Sequence, residues 1–430
     1  MSDLAHENLS SIIDRHKVAI CLLLVALILL GVISTNLFTV LAFILFALIV
    51  LFAKEQFIIC LLLFMLPFAA LFKLAPKTFS LFTICEAIVV LRIMLNRKFS
   101  ITVIMSAVTY FGYILLGTFI RGQEFDLQHV KQFENILMLY SLVIISKETP
   151  FEKIATYYIL GMILSSFVGL YAQNQSIFYE YAKEIYTNDD YNRFCGLAGD
   201  PNYYSVNMMI AFIMLLGLRK KDKVSVDVFW VLYGLMTVFG FLTVSKSFML
   251  MYIFIFAVTA FIVLKNKNPI ENTILVLGVV VILIVGLSSG GLLSTMIERL
   301  TSANNMHELT TGRSSIWEHY IELLRTDPGV IVFGTGLTNE LLMKQGTHNL
   351  YLESIYHLGF AGVLLLLVGF YFCFTRKEKR KRIFFNHVGW IVLATMYFFL
   401  QTLFSIAFIY NVFLVYCIYS EKFNRAEDEI

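Results

Sequence analysis

The sequence predicts an all-α membrane protein, a polytopic bundle of about 11–14 transmembrane helices. Hydrophobic residues occupy 59% of the 430 positions and charged residues only 15%, a balance far from that of soluble domains. Apolar runs of roughly 20 residues, the length that crosses a bilayer as a helix, recur along the whole chain. We therefore expect one integral membrane domain over 1–430. Its long polar segment, 288–347, should form a large extracytoplasmic loop with amphipathic helices.

The apolar runs, taken in order, predict where each span lies. Two features leave the number of spans open: Glu86 and Arg92 interrupt the fourth run, and no polar loop separates the last two runs. The predicted spans lie near 18–35, 37–53, 57–72, 79–95, 101–120, 133–147, 154–171, 201–218, 226–244, 247–264, 273–290, 348–371, 385–401 and 405–420.

The distribution of basic residues predicts which side of the membrane each loop faces. Lys and Arg near the ends of spans are retained on the cytoplasmic side. With the N-terminus inside, every dense basic cluster falls on that side, including 219–223 and 376–382. The opposite face then receives 121–131, 172–200 and 288–347.

Composition and cysteine spacing exclude several classes of function. The net charge is only +3 and the basic residues form short clusters, so no nucleic-acid partner is expected. Five of the six cysteines lie inside apolar runs, and neither a zinc spacing nor a disulfide framework is present. Asp189 and Asp190 lack further ligands and should lie in a solvated loop. We predict no metal site and no cofactor.

Two segments on the predicted outer face indicate their own local structure. Asp200 before Pro201 fits an N-cap followed by Pro at the first helical position, so the eighth span should begin there. Within 288–347, apolar residues recur at helical spacing from Ile316 to Leu324, which predicts an amphipathic helix along the membrane surface. An Asp-Pro-Gly sequence should end that helix.

Three cations on the predicted outer face lie in apolar surroundings: Arg193, Lys246 and Arg313. Arg313 falls at the start of the amphipathic helix, where backbone N–H groups and the helix dipole already favour an anion. Lys246 interrupts two spans with almost no loop, at the membrane boundary. If the three cations converge, they suit a diphosphate. The alternative is that Arg313 reaches lipid phosphates and Lys246 is an interfacial anchor.

His348 begins the twelfth predicted span. A histidine at a helix start acts as a cap or interfacial residue, or as a general base, and the sequence leaves both roles open. Asn349 and Tyr351 follow it closely. Gly334 and Gly336 lack the Gly-Lys-Ser/Thr of a phosphate-binding loop, so we expect them to form a turn.

Charged residues in the predicted spans keep a transport function open. Glu86, Arg92 and Glu134 lie in or beside spans, where ionisable groups are costly and mark pathways or internal pairs. However, the two halves of the chain contain no corresponding pair of spans broken by Gly or Pro, as inverted-repeat transporters do. A transporter or flippase is therefore the less favoured alternative.

Five short motifs follow one another in the chain. They are Arg193 with Gly199-Asp200-Pro201-Asn202-Tyr203, Thr243-Val244-Ser245-Lys246-Ser247, Gly312-Arg313-Ser314-Ser315-Ile316-Trp317, Gly334-Thr335-Gly336, and His348-Asn349-Leu350-Tyr351-Leu352 with Gly359-Phe360-Ala361-Gly362. In their order and common predicted side, they resemble the O-antigen ligase and O-antigen polymerase superfamily of bacterial polysaccharide assembly. Lys246 departs from that pattern, since such proteins often have Arg after the Ser. Lysine keeps the charge but loses the bidentate fork.

The resemblance implies a metal-independent glycosyltransferase of the bacterial cytoplasmic (inner) membrane, with its active site on the extracytoplasmic face. The donor would be a glycan on undecaprenyl diphosphate and the acceptor a glycan hydroxyl, with inverting-type attack. Two activities share this chemistry. We favour the polymerase, which joins repeat units of O-antigen or capsule, over the ligase, which passes finished glycan to lipid A core or another acceptor. Membrane lipid and a chain-length regulator protein are further candidate partners.

The resemblance also implies roles for individual residues. Arg193 and Arg313, with Lys246, would bind the diphosphate, because the site mainly needs fixed positive charge where that group leaves. His348 would accept the proton of the acceptor hydroxyl. The remaining candidate substrate-binding residues are Asp200, Asn202, Trp317, Asn349 and Tyr351.

Overall fold

A computed structural model describes the architecture of the chain. It covers residues 13, 15–76, 78–96, 99–125, 127–173, 175–181, 193–265, 269–271, 273–274, 277–278, 313–337, 346–374, 383–400 and 407–423. The helices, numbered in chain order, are α1 (Lys17–Ile33), α2 (Asn36–Phe52), α3 (Glu55–Met65), α4 (Leu81–Asn96), α5 (Ile101–Ile120), α6 (Leu127–Ser146), α7 (Phe151–Ala172), α8 (Ser176–Tyr181), α9 (Pro201–Lys220), α10 (Val226–Phe241), α11 (Lys246–Lys265), α12 (Arg313–Thr326), α13 (Pro328–Phe333), α14 (Leu350–Cys373), α15 (Phe384–Tyr397) and α16 (Ala407–Ser420).

The predicted fold class is confirmed as an all-α bundle, and the residues just given contain no β-strand. Helices α5, α7, α9, α11 and α14 are long and apolar enough to cross a membrane. Shorter apolar helices accompany them, namely α1, α2, α3 with a 3-10 turn at Leu66–Phe68, α10 and α16. Most of the predicted span 273–290, and residues 288–312 and 338–345 of the predicted loop, lie outside the described residues.

The outward faces of peripheral helices are apolar. Ile101, Phe119, Ile253 and Leu364 each expose more than 60% of their surface. An exposed apolar surface of this kind marks an interaction with lipid or with another protein. Together with the apolar helices, it supports a membrane protein.

Helix α6 begins earlier than its predicted span, 133–147. The prediction missed the first turns because they carry polar residues, and the bundle buries these residues. Tyr110 donates to the side-chain oxygen of Gln132 at 3.4 Å. The hydroxyl of Thr118 lies 2.7 Å from the His129 ring. Partners on α5 satisfy these groups, so hydropathy alone underestimates the length of the helix.

Helix α9 forms the centre of the bundle. Almost every side chain from Tyr204 to Arg219 is buried, and α7, α10, α11 and α16 pack around it. A helix that is apolar on all sides is stable where other helices surround it. A Cβ added at Gly169 of α7 would lie 2.7 Å from the Cα of Gly196. This close approach brings the segment before α9 directly against α7.

Helix α12 confirms the amphipathic helix predicted within 288–347. It buries Ile316, Tyr320 and Leu324, which pack against α13 and α14. The helix ends at the predicted Asp-Pro-Gly sequence. There the Asp327 side chain accepts a backbone N–H and caps α13.

Helix α14 is broken at Gly359, where φ is 62°, whereas the sequence predicted a continuous span. Near the break, the carbonyl of Tyr356 accepts the N–H of Thr335 at 2.7 Å. The carbonyl of His357 likewise accepts the N–H of Gly336 at 3.0 Å. Both glycines of the Gly-Thr-Gly sequence have positive φ, which confirms their predicted turn. The turn supplies donors to carbonyls at the break.

Arg92, one of the charged residues in the predicted spans, contributes to helix packing. Its guanidinium donates to the carbonyls of Val50 and Ala53. These carbonyls lie at the C-terminal end of α2, where partners are missing and the helix dipole favours a cation. Arg92 therefore fastens α4 to α2.

Candidate active site

The N-terminus of α9 confirms the cap predicted at Asp200. The carboxylate accepts the N–H of Asn202 at 2.6 Å and that of Tyr203 at 3.1 Å. Pro201 occupies the first helical position. Since the first N–H groups of a helix lack partners within it, this cap determines where α9 starts.

Arg193 is held by acceptors from two parts of the chain. Its Nε donates to the carbonyl of Thr243 at 3.0 Å, and a terminal nitrogen donates to Oδ1 of Asn202 at 3.2 Å. The same Oδ1 accepts the hydroxyl of Ser245 at 2.9 Å. The guanidinium therefore joins the segment before α9 to the turn between α10 and α11.

That turn brings Lys246 next to the Arg193 network, because Lys246 begins α11 directly after Ser245. Val244 has φ of 49°, which is rare for a β-branched residue. The buried hydroxyl of Thr243 accepts that of Ser205 on α9 at 3.1 Å. A strained backbone held at a buried polar junction is typical of functional sites.

A second group of predicted residues lies where α12 begins. Arg313, the first residue of α12, donates to the carbonyl of Phe399 at 2.8 Å. One turn later, the indole N–H of Trp317 donates to the carbonyl of Thr347 at 2.9 Å. The Trp317 ring also meets that of Phe398 edge-on, with centroids 5.3 Å apart. Arg313 thus contacts protein, which argues against a role limited to lipid phosphates.

His348 lies before α14 and does not begin it, so the predicted helix start is wrong. Asn349 is the N-cap, and its Oδ1 accepts the N–H of Tyr351 at 3.0 Å and that of Leu352 at 3.1 Å. The short Asn side chain reaches these N–H groups, as in other strong caps. His348 has φ of 46°, a left-handed conformation in which His is enriched. It therefore belongs to the turn before the helix.

The charge of the His348 ring depends on two of the other predicted residues. Burial lowers the pKa of His348, the Arg313 guanidinium lowers it further, and the Asp200 carboxylate opposes the shift. Burial is the largest of these causes. A neutral imidazole can accept a proton.

The nine predicted residues form two groups, and the charges acting on His348 connect them. Asn349 is 3% exposed and its side-chain oxygen serves the cap, so it supports the start of α14. Tyr351 is 45% exposed and donates to the carbonyl of Ala394 at 3.0 Å. The group at α9 contains Arg193, Asp200, Asn202 and Lys246, and the group at α14 contains Arg313, Trp317, His348, Asn349 and Tyr351.

The sequence did not predict three contributors to this region. Ser245 donates a hydrogen bond to the side chain of Asn202. The sequence feature that could have indicated it is a hydroxyl next to a lysine, in a junction between two spans with almost no loop. Glu353 is fully buried in the first turn of α14. The sequence feature that could have indicated it is an acidic residue inside an apolar run. Phe399 contributes a backbone carbonyl, which has no signature in the sequence.

Comparisons with known proteins do not identify this site. No family model matches the chain, and no curated protein or solved structure matches it. Among the described residues, no three His, Cys, Asp or Glu side chains are grouped as metal ligands would be. The site contains a half-buried histidine, His348, on whose pKa the charges of Arg313 and Asp200 act. Asp200 caps α9, and the next residue but one, Asn202, accepts a hydrogen bond from Arg193.

Proposed function

We propose that the chain is a bacterial membrane glycosyltransferase that joins lipid-linked oligosaccharide repeat units into a surface polysaccharide. The observation that carries this proposal is His348, a half-buried residue held in the turn before α14, on whose ring the charges of Arg313 and Asp200 act. A base beside fixed positive charge suits transfer from a diphosphate donor to a hydroxyl. Undecaprenyl diphosphate would carry the donor, as in the superfamily that the motifs resemble.

The proposed reaction needs one base and no partner acid. The acceptor oxygen attacks the anomeric carbon as the bond from that carbon to the diphosphate oxygen breaks. His348 takes the hydroxyl proton. The diphosphate leaves as an anion, and Arg193 and Arg313, with Lys246, stabilise its charge. Attack opposite the leaving group inverts the anomeric centre.

The proposal includes a membrane setting for this chemistry. The active site would face the extracytoplasmic side of the bacterial inner membrane, within a bundle of about 11–14 spans. The loop at 288–347 would lie on the same side. The dense basic clusters support this orientation, because they all fall on the other face.

Two other functions remain as alternatives. A ligase that passes finished glycan to lipid A core uses the same donor and the same residues. A transporter or flippase is supported by a separate observation in the bundle. Glu86 of α4 is 5% exposed, and the charges of Lys131 and Glu134 on α6 interact with it. Buried ionisable groups mark pathways or internal pairs.

Chain extension in detergent separates these functions. Purified protein is mixed with a defined lipid-linked donor and either a repeat-unit acceptor or a lipid A core acceptor. A polymerase lengthens the first acceptor and a ligase modifies the second. A transporter needs a sealed compartment, so product from neither acceptor would contradict the proposed enzyme.

Variants test the proposed residues in the same assay. We expect Arg193→Ala and Arg313→Ala to reduce transfer about 10- to 100-fold, since each removes a charge-assisted contact, and Arg→Lys to restore part of it. His348→Ala should keep donor binding and lose about 10²- to 10⁴-fold in rate. Arg325→Ala and His319→Ala, on the exposed face of α12, are controls. Wild-type turnover by His348→Ala would refute the mechanism.

A further inference from the structure

A basic cavity lies at the opposite end of α9 from the candidate active site. Its volume is about 400 Å³, and it is lined by Glu152, Lys220, Lys221, Lys223 and Lys422. These residues come from the end of α9, the first turn of α7 and the segment after α16. With a rise of 1.5 Å per residue, the 20 residues of α9 separate the cavity from Asp200 by about 30 Å.

Regular local structure holds the lysines at the end of α9. The N–H of Lys223 donates to the carbonyl of Leu218 at 2.9 Å, and that of Asp222 donates to the carbonyl of Arg219 at 3.0 Å. Asp222 has φ of 52°. This pair of bonds around a left-handed residue is the Schellman arrangement of a helix C-terminus. The backbone that carries the lysines is therefore defined by its own hydrogen bonds.

The segment that carries Lys422 is also fastened to the bundle. The Asn386 side chain donates to the carbonyl of Glu421 at 3.0 Å. The buried ring of Phe423 packs edge-on against Phe151 at 6.2 Å and Phe385 at 4.9 Å. These contacts hold both sides of the cavity in place.

The lining of the cavity carries an excess of positive charge. The Lys221 ammonium lies 2.8 Å from Glu152 and 2.9 Å from Glu421. The negative charges of these two carboxylates therefore act mainly on Lys221. Neighbouring Arg219 does not line the cavity and pairs instead with Glu271 and Asp222. The lining thus contains four lysines and one carboxylate, and Glu421 pairs with Lys221 from outside the lining.

We propose that this cavity binds a phosphate group, carried either by an anionic lipid or by a soluble phosphate. Lysine ammonium groups bind phosphate oxygens as point charges without a fixed direction. Basic pockets between transmembrane helices recognise anionic head groups in this way. The site does not depend on the proposed transferase, because it shares no residue with the active site.

Binding measured on two triple variants tests the cavity. The protein is purified in detergent and exposed to phosphatidylglycerol, phosphatidylcholine or inorganic pyrophosphate, and bound molecules are counted by native mass spectrometry. Lys220→Gln, Lys223→Gln and Lys422→Gln together should weaken binding of the phosphate probe about 10- to 100-fold. The matched control replaces Lys54, Lys147 and Lys153, which are exposed outside the cavity, with Gln. It should bind as the wild type does.

The probes distinguish the two sources of phosphate. Retention of phosphatidylglycerol over phosphatidylcholine identifies a lipid head group, and pyrophosphate binding without lipid identifies a soluble phosphate. Acylation of wild-type lysines is a second readout that needs no variant. Either phosphate probe should protect Lys220, Lys223 and Lys422 but not Lys147. Equal loss in both triple variants, or no protection of the cavity lysines, would overturn the proposal.

Discussion

The lowered pKa of His348 determines how the proposed transfer should depend on pH. A general base works in its neutral form, and the neutral fraction falls as the pH drops through the pKa. An ordinary imidazole is half protonated at about pH 6.5. Because burial and Arg313 lower the pKa of His348, we expect the acid limb of kcat/KM to lie below that pH. Initial rates between about pH 4.5 and 8 measure the limb.

Two charge-removing variants should move this limb in opposite directions. Arg313→Gln removes a charge that lowers the pKa of His348, so the limb of its residual activity should move to higher pH. Asp200→Asn removes a charge that raises the pKa and keeps an amide oxygen for the cap of α9, so its limb should move to lower pH. Identical profiles for both variants would contradict His348 as the base.

Local features of the site could be predicted from the sequence, whereas long-range contacts could not. The cap at Asp200 depends on adjacent residues, so Asp before Pro was sufficient to locate it. Arg193 donates to the carbonyl of Thr243, fifty residues later, and a backbone carbonyl has no side-chain signature. The prediction placed the start of α14 at His348, because the sequence does not decide between His348 and Asn349. The capping geometry decides for Asn349.

Among the structural elements, the break in α14 depends on one glycine. Gly359 has φ of 62°, and an added Cβ would lie 2.4 Å from the carbonyl oxygen of Val332 and 2.5 Å from the nitrogen of Gly334. Backbone strain and steric contact therefore act together. We expect Gly359→Ala to reduce the free energy of unfolding by roughly 1–3 kcal/mol or more. Thermal unfolding in detergent measures the change.

Gly112→Ala is the matched control for that substitution. Gly112 lies inside α5, and a Cβ there meets no atom within 4 Å. Alanine favours a helix over glycine by about 0.5–1 kcal/mol, so the unfolding midpoint should stay the same or rise slightly. Equal midpoints for the two alanine variants would show that Gly359 does not maintain the break.

Most helices could be located from hydropathy, because an apolar run long enough to cross a bilayer has few other structures open to it. Helix α6 was shortened in the prediction because His129 and Gln132 are polar yet buried. Their partners on α5 are not visible in a local window. The break in α14 was missed for a related reason. A glycine inside an apolar run is equally compatible with close helix packing.

For the whole molecule, helix α9 relates the two proposed sites. It begins at the cap of the candidate active site and ends at the lysine cavity, and its middle is buried. Its length of about 30 Å is close to the thickness of the hydrocarbon core. If α9 crosses the membrane, the two sites face opposite aqueous compartments, and the dense lysines put the cavity on the cytoplasmic side.

Thiol labelling tests this arrangement, because all six native cysteines are buried and should react slowly. Glu322 is exposed on the polar face of α12 and Asp222 is exposed beside the cavity. We expect Glu322→Cys to react with an impermeant maleimide in intact spheroplasts, and Asp222→Cys to react only after the membrane is permeabilised. The reverse pattern would show that the candidate active site faces the cytoplasm. A donor in the outer leaflet could not then reach Arg313 and His348, so the proposed transferase would fail while the lysine cavity stayed open to its own test.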